Sequence, residues 1–117
     1  MDIKEIMEQK SFAVLGDTVS EGKPAFMIKE RMRDKGYKIF PVGKELLSIN
    51  EIEEDIDIID VCMNPKKALE LLKENRKAFK CVLLQPGTEG EELICYLDEK
   101  NIPYLKGCLL KGLKEYK

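Results

Sequence analysis

The sequence predicts an α/β fold, a three-layer doubly wound parallel sheet of five strands with helices on both faces. Short apolar runs alternate about five times with amphipathic stretches along the 117 residues, which is typical of a parallel sheet whose strands are joined by helices. The third and fourth apolar runs are hydrophobic on both faces, as strands covered by helices on both sides are. Because crossover connections are right-handed, such strands wind outward in both directions from the middle of the sheet.

The elements follow from the apolar pattern and from local stop signals. The chain has two possible capping boxes, Ser48 with Glu51 and Thr88 with Glu91, each of which predicts the start of a short helix. Asp60 falls inside the third apolar run, where we expect it to be hydrogen-bonded, since a bare buried carboxylate is costly. Helices are predicted at residues 3–9, 24–35, 64–79 and after Thr88, with a last helical turn in the tail. The predicted strands are residues 12–15, 37–42, 55–63, 80–84 and 102–105.

Length and charge limit the classes of protein. We expect one domain over residues 1–117, which is long enough to bury a core. The net charge of −2 and the lack of a basic stripe argue against nucleic acid as a partner. No apolar run approaches the roughly 18 residues of a membrane span, and the first residues do not resemble a signal peptide. We therefore expect a cytoplasmic protein without a membrane partner; the oligomeric state is left open.

Composition also limits the chemistry. The chain has four cysteines without CxxC spacing and no histidine, which argues against a zinc site and excludes catalysis by histidine. We expect the cysteines to be free thiols in a reducing compartment. No nucleophile stands beside an activating base in the pattern. The sequence therefore predicts no metal site and no catalytic residue, and it favours a protein that is not an enzyme.

The loop after the first strand, in FAVLGDTVSEGKP, is a candidate phosphate site. Gly16 lets the backbone approach a ligand closely, and the helix that starts at Pro24 offers its amides and dipole to an anion. Lys23 adds a positive charge. Asp17 and Glu21 count against the site because carboxylates repel a phosphate, and a plain turn is the alternative. The predicted phosphate-binding residues are Gly16, Asp17, Thr18, Lys23 and Pro24.

The end of the second strand, FPVGKE, indicates which phosphate is bound. A site for NAD places an Asp or Glu there to hold the ribose hydroxyls. Here Val42 and Gly43 lead to Lys44, and a lysine suits a phosphorylated ribose better than a free one. Such a ribose occurs in NADP and in coenzyme A. The alternative is that Lys44 is an ordinary surface lysine.

Five segments in order carry a resemblance to a known family. FAVLG, GYKIFPV, IDIIDVCMNP, CVLLQPG and the turn Gly107-Cys108-Leu109 resemble small CoA-binding proteins with a Rossmann-like fold, which are similar to the N-terminal domain of the succinyl-CoA synthetase α subunit. The likeness runs from about Ser11 to Leu110. It implies strand order 3-2-1-4-5 and coenzyme A in the crevice at the carboxyl ends of the strands.

The resemblance also implies roles for residues that match the family's segments. Gly16, Asp17 and Thr18 match its phosphate turn, Val42, Gly43 and Lys44 its adenosine side, and Asn64 and Pro65 the exit of its third strand. Gln85, Pro86 and Gly87 match a further turn at the same end of the sheet, and Cys108 lies where a ligand thiol could reach it, unless it is an inert turn residue. The chain departs from the family at Asp17-Thr18, at Gly43-Lys44 and at Gly107.

The function predicted from these residues is non-catalytic binding of coenzyme A or an acyl-CoA. Lys44 also permits a domain similar to NADP-dependent oxidoreductases, although no catalytic residue supports that alternative. Asp17 favours a third alternative, an interaction protein with a vestigial nucleotide pocket. In the first two cases the partner is a small-molecule nucleotide cofactor.

Overall fold

A computed structural model describes residues 1–116 and contains one sheet of five parallel strands between two layers of helices. All neighbouring strands pair in parallel, so the predicted doubly wound α/β fold is confirmed. The helices are α1 (Ile3–Met7), α2 (Pro24–Asp34), α3 (Pro65–Glu74), α4 (Glu91–Glu99) and α5 (Leu109–Tyr116), with a 3₁₀ helix at Ile49–Glu51. The strands are β1 (Ser11–Gly16), β2 (Lys38–Gly43), β3 (Ile58–Cys62), β4 (Cys81–Leu84) and β5 (Tyr104–Lys106).

The strand order is β2-β1-β3-β4-β5, so the direction of winding reverses between β1 and β3. The predicted order 3-2-1-4-5, which uses its own strand numbering, describes this arrangement and is confirmed. A single parallel bridge joins Val42, near the end of β2, to Leu46 in the segment that leads to β3. The reversal point is the place where a doubly wound sheet leaves a crevice at its carboxyl edge.

Alternate residues of each strand contribute to two separate cores. Phe12 and Val14 of β1 face α1, α2 and α5, and pack with residues such as Met32. Ala13 and Leu15 face the other side, where α3, α4 and the 3₁₀ helix cover the sheet. The strands of this parallel sheet are thus buried on both faces, as their continuous apolar runs predict. Among residues 1–116, no helix is long and apolar enough to cross a membrane.

Most element boundaries differ by no more than two residues from the sequence-based expectation, and three elements differ by more. β3 begins at Ile58 because the preceding Asp57 uses its carboxylate to accept hydrogen bonds from the backbone of Lys10 and Ser11. α3 stops at Glu74 because Asn75 adopts extended backbone as its C-cap. The tail forms the whole helix α5, not a single turn. The predicted domain extends to Lys117, which lies outside the described residues.

One of the two predicted capping boxes is present. Ser48 and Glu51 make both hydrogen bonds of a capping box at the 3₁₀ helix. The box predicted for Thr88 and Glu91 is wrong, since Gly90 is the N-cap of α4 and no side chain caps it. The Thr88 hydroxyl instead donates to backbone carbonyls, 2.7 Å from that of Gln85. The hydroxyl's single hydrogen is therefore used inside the turn after β4.

We expect Gly16→Ala to lower the free energy of unfolding by about 1–3 kcal/mol or more, as overpacking does. A Cβ at Gly16 would lie 2.5 Å from the carbonyl oxygen of Cys62 and 2.8 Å from the Cβ of Ala25. Urea denaturation measures the change. Gly107→Ala is the matched control, because its Cβ would first meet a flexible Leu83 methyl at 3.4 Å. Equal losses in the two variants would contradict the steric argument.

Candidate functional site

The carboxyl ends of β1, β2 and β3 open into a cavity of about 550 Å³ at the reversal point of the sheet. Gly16, Gly43 and Cys62, the last residues of these strands, line it. The β1–α2 loop, the loop after β2 and one face of α3 contribute the rest. Asp17, Lys23, Lys44, Leu47, Met63, Lys67, Glu70, Leu71 and Glu74 complete the lining.

Two glycines bring the strand ends together. Gly16 of β1 lies opposite both Gly43 of β2 and Cys62 of β3. Gly43 has φ of +127°, a conformation that L side chains rarely adopt, and a Cβ there would lie 2.9 Å from the Gly16 carbonyl oxygen. Bare backbone therefore forms this part of the cavity, and a ligand can approach it closely.

Five of the predicted residues share this one cavity. Gly16, Asp17, Lys23, Gly43 and Lys44 all line it, although they come from two segments separated along the chain. Parallel strands end at the same edge of the sheet, which is why the loops after β1 and β2 meet. The other predicted site residues do not line this cavity.

Asp17 turns its carboxylate into its own loop. One carboxylate oxygen, Oδ1, accepts hydrogen bonds from the backbone amides of Val19 at 3.2 Å and Ser20 at 3.0 Å. Hydrogen bonds from the Ser20 side chain and backbone lower the pKa of Asp17, and the nearby Lys44 contributes to the same change. The carboxylate is therefore ionised at neutral pH and already paired with the turn.

Thr18, predicted as part of a phosphate turn, is fully buried. Its hydroxyl donates to Glu45 Oε2 at 2.6 Å, and Lys29 Nζ donates to the same oxygen at 3.0 Å. The hydrogen bond from Thr18, followed by the Lys29 contacts, lowers the pKa of Glu45. This three-residue clamp joins the β1–α2 loop, the loop after β2 and α2. Sequence reasoning missed Glu45 and Lys29, since nothing local links residues so far apart.

The starts of α2 and α3 differ in how their amides are used. The N-cap of α2, Lys23, makes no side-chain hydrogen bond, and Pro24 is the first helical residue. At α3, the side chain of Asn64 caps the helix by accepting from the backbone amide of Lys66 at 2.8 Å, ahead of Pro65. The start of α2 beside the cavity is thus the one without a side-chain cap, which suits an anion.

The sequence did not predict that one face of α3 forms a wall of the cavity. Lys67, Glu70, Leu71 and Glu74 recur at the spacing of one helical face, so the signal was present but did not distinguish a cavity wall from solvent. Across the cavity, Leu47 is 72% exposed, an unusual position for a leucine side chain. The lining therefore combines apolar side chains with lysines and carboxylates in equal number.

Gln85 and Asp60 form a buried pair beneath this edge of the sheet. The Gln85 side-chain amide donates to Asp60 Oδ1, and Gln85 Oε1 accepts from the backbone amide of Leu109 at 3.4 Å. Asp60 is fully buried, and its Oδ2 has no hydrogen-bond partner within the described part of the chain. Burial raises the pKa of Asp60 to about 7, against the smaller effect of Gln85. The expected hydrogen bond of Asp60 is confirmed for one oxygen. Through Gln85, it connects β3 to the start of α5.

The turn at Pro86 and Gly87 is exposed and lies outside the cavity lining, whereas Val42 is fully buried in β2. Cys108 is half-buried before α5 and does not line the cavity either. Cys62 does, and burial raises the pKa of its thiol to about 12, with Asp60 and Cys108 adding to the rise. Cys62 is therefore a protonated thiol at neutral pH, which is not the reactive form.

Comparison with known proteins identifies the family. Residues 10–114 match the profile that describes the CoA binding domain. The chain belongs to the CoA-binding domain family. The resemblance seen in the five sequence segments is thereby confirmed over nearly the whole chain. A search of curated proteins finds no match.

Solved structures of other proteins share the fold of this chain. A conserved hypothetical protein from Pyrococcus furiosus is 28% identical, with a TM-score of 0.76 over 85% of this chain and 94% of that one. A Thermus thermophilus protein is 26% identical, with a TM-score of 0.81 over 100% of both chains. A hypothetical protein from Pyrococcus horikoshii, 24% identical with a TM-score of 0.85 over 98% of this chain and 89% of that one, shows the same fold.

We expect Asp60→Asn to stabilise the CoA-binding domain increasingly as the pH rises from about 4 to about 7. Because the pKa of Asp60 rises from 3.8 to about 7 on folding, the folded state binds this proton more tightly than the unfolded chain does. The contribution of Asp60 to stability is therefore complete below its unfolded pKa and lost as the pH approaches its folded pKa. Asparagine cannot ionise, so the gain should reach about 1–4 kcal/mol at pH 8. Thermal unfolding at several pH values measures it.

Asp57→Asn is the control of opposite sign. Burial acts to raise the pKa of Asp57, but hydrogen bonds from the backbone of Lys10 and Ser11 and the contact with Lys80 outweigh burial and lower it. This variant should be destabilised most at neutral pH, with a loss that shrinks as the pH falls below about 4. A flat difference between Asp60→Asn and the wild type across this range would show that Asp60 does not ionise as described.

Proposed function

We propose that this protein binds coenzyme A, or an acyl-CoA, in the cavity at the ends of β1, β2 and β3, and that it does so without catalysing a reaction. The observation that carries the proposal is a cavity of about 550 Å³, lined by two strand-end glycines and three lysines, in a chain of the CoA-binding domain family. A cavity of this size fits a small ligand. The lysines are Lys23, Lys44 and Lys67.

In this proposal, the diphosphate lies near Gly16, Asp17 and Thr18. Lys23 and the start of α2 at Pro24 lie on the same side. Gly16 and Gly43 present backbone without side chains at this point. The N-cap residue of α2 leaves the helix start without a side-chain cap, and helix starts attract anions. The positive charge of Lys23 adds to this attraction.

The adenosine lies on the side of Val42, Gly43 and Lys44. Lys44 is the lysine placed to pair with the 3′-phosphate, because it follows β2 directly and lines the cavity. Leu47 and Leu71 offer apolar side chains to the adenine ring from two different segments. Covering the exposed Leu47 removes apolar surface from water, which favours binding.

In this proposal, the pantetheine arm passes Cys62 and Met63 and lies near Asn64 and Pro65. It extends toward the turn Gln85-Pro86-Gly87 and Cys108. Cys62 and Met63 line the cavity at the end of β3, and β4 with its turn is the next strand in that direction. Cys62 holds its proton at neutral pH, which suits a binding surface better than a nucleophile. Free thiols at all four cysteines also suit the cytoplasmic location that we propose.

We expect coenzyme A to raise the melting temperature of the protein more than dephospho-CoA, NADP or NAD does, measured by thermal shift at equal ligand concentrations. Ligand that binds the folded state stabilises it by mass action. A larger shift with NADP would favour the oxidoreductase-like alternative. Absence of a shift with all four ligands would overturn the proposal and leave the interaction protein with a vestigial pocket.

Lys44→Ala should weaken binding of coenzyme A by about 1–3 kcal/mol, the range for a hydrogen-bonded phosphate contact. The same variant should change the affinity for dephospho-CoA little, because that ligand lacks the 3′-phosphate. Lys66→Ala is the control, since Lys66 is an exposed lysine outside the cavity lining. Isothermal titration calorimetry measures all three proteins, and an equal loss for both ligands would contradict the role of Lys44.

A further inference from the structure

We propose that Asp17 is an internal competitor for the phosphate of the ligand: its carboxylate occupies backbone amides that the β1–α2 turn offers to an anion. The inference rests on the proposed function, because it concerns the same cavity. It assigns to Asp17 the setting of ligand affinity, a role opposite to that of a contact residue.

The geometry is that of an anion held by a turn. The amides of two successive residues, Val19 and Ser20, converge on one oxygen of Asp17 at 3.2 and 3.0 Å. Successive amides arranged in this way form a concavity that binds anions in many proteins. Here the bound anion belongs to the chain itself, and Asp17 also lines the cavity.

The consequences for a phosphate are twofold. The amides of Val19 and Ser20 are already hydrogen-bonded to Asp17, and the negative charge of Asp17 repels the phosphate. The groups that remain for it are the side chains of Lys23, Lys44 and Lys67 and the start of α2, which no side chain caps. Lys44, in turn, faces Asp17 closely enough to affect its ionisation, so part of its charge is already balanced without a ligand.

The neighbouring hydroxyl cannot take over the lost contacts. Thr18 is fully buried and donates its hydrogen to Glu45 at 2.6 Å. The turn therefore presents no free side-chain donor at residues 17 and 18. This makes Asp17 the residue whose removal changes the donors available to a phosphate most directly.

Two substitutions separate the effects of occupancy and of charge. Asp17→Ala frees both amides and removes the charge, and should tighten binding of coenzyme A at least about tenfold, as expected for regained hydrogen bonds to a charged group. Asp17→Asn removes the charge but keeps an oxygen that accepts from the amides, and should tighten binding about fivefold or less. Calorimetry with coenzyme A and with inorganic pyrophosphate measures both variants.

Glu21→Gln is the matched control. It removes one negative charge from the same loop at an exposed residue that lies outside the cavity lining. Because charges in water are screened, its affinity for either probe should change by no more than about twofold. A tenfold gain in this variant would show that the net charge of the loop, and not the contacts of Asp17, sets the affinity, and would overturn the inference.

Amide NMR spectra distinguish failure of this inference from failure of the proposed function. In Asp17→Ala, pyrophosphate should shift the amide signals of Val19 and Ser20, and it should shift them much less in the wild type. If the wild type and Asp17→Ala bind coenzyme A equally, the inference is wrong while the proposed function stands. If neither binds coenzyme A, the proposed function fails. Pyrophosphate that still shifts these amides in the variant alone would then show that Asp17 occupies an anion-binding turn, whereas no such shift would overturn the inference as well.

Discussion

The close approach of three strand ends at Gly16 is the constraint on which the rest of the site depends. Gly16 lies beside Gly43 and Cys62, and the carbonyl oxygen of Cys62 together with the Cβ of Ala25 leaves no room for a Cβ at Gly16. A side chain there would separate β1 from β3 at the reversal point of the sheet. The cavity then exists because the sheet reverses its winding here and because no side chain fills the opening.

The polar groups around this opening are largely engaged within the protein. Asp17 pairs with its own turn, and Thr18 and Lys29 pair with Glu45. These contacts cost little to maintain, since they satisfy buried or half-buried polar atoms that would otherwise lose their water. They also connect the β1–α2 loop to α2 and to the loop after β2.

The parts that could be predicted from the sequence follow from local pattern and from the rule that parallel strands end at one edge. Gly16, Lys23, Gly43 and Lys44 were predicted in this way and line one cavity. The partner of Thr18 could not be predicted, because Glu45 reaches it only through tertiary packing. Nor could the α3 wall be predicted. The segment that connects β2 to β3 contains a bridge and a 3₁₀ helix, and it contributes Leu47 to the same cavity.

The buried Asp60–Gln85 pair shows how the far end of the site is positioned. Asp60 lies two residues before Cys62 on β3. Gln85 follows β4, and its side-chain oxygen accepts a hydrogen bond from the backbone amide of Leu109, the first residue of α5. The Asp60–Gln85 pair thus connects β3 to the residue before the turn at Pro86 and Gly87, and through Gln85 to the start of α5. Directional hydrogen bonds fix such distances more sharply than apolar packing alone does. Below about pH 7 the carboxyl group is mostly protonated, which avoids the cost of a buried charge. The raised pKa of Asp60 is therefore a consequence of burying a carboxyl group beneath the site.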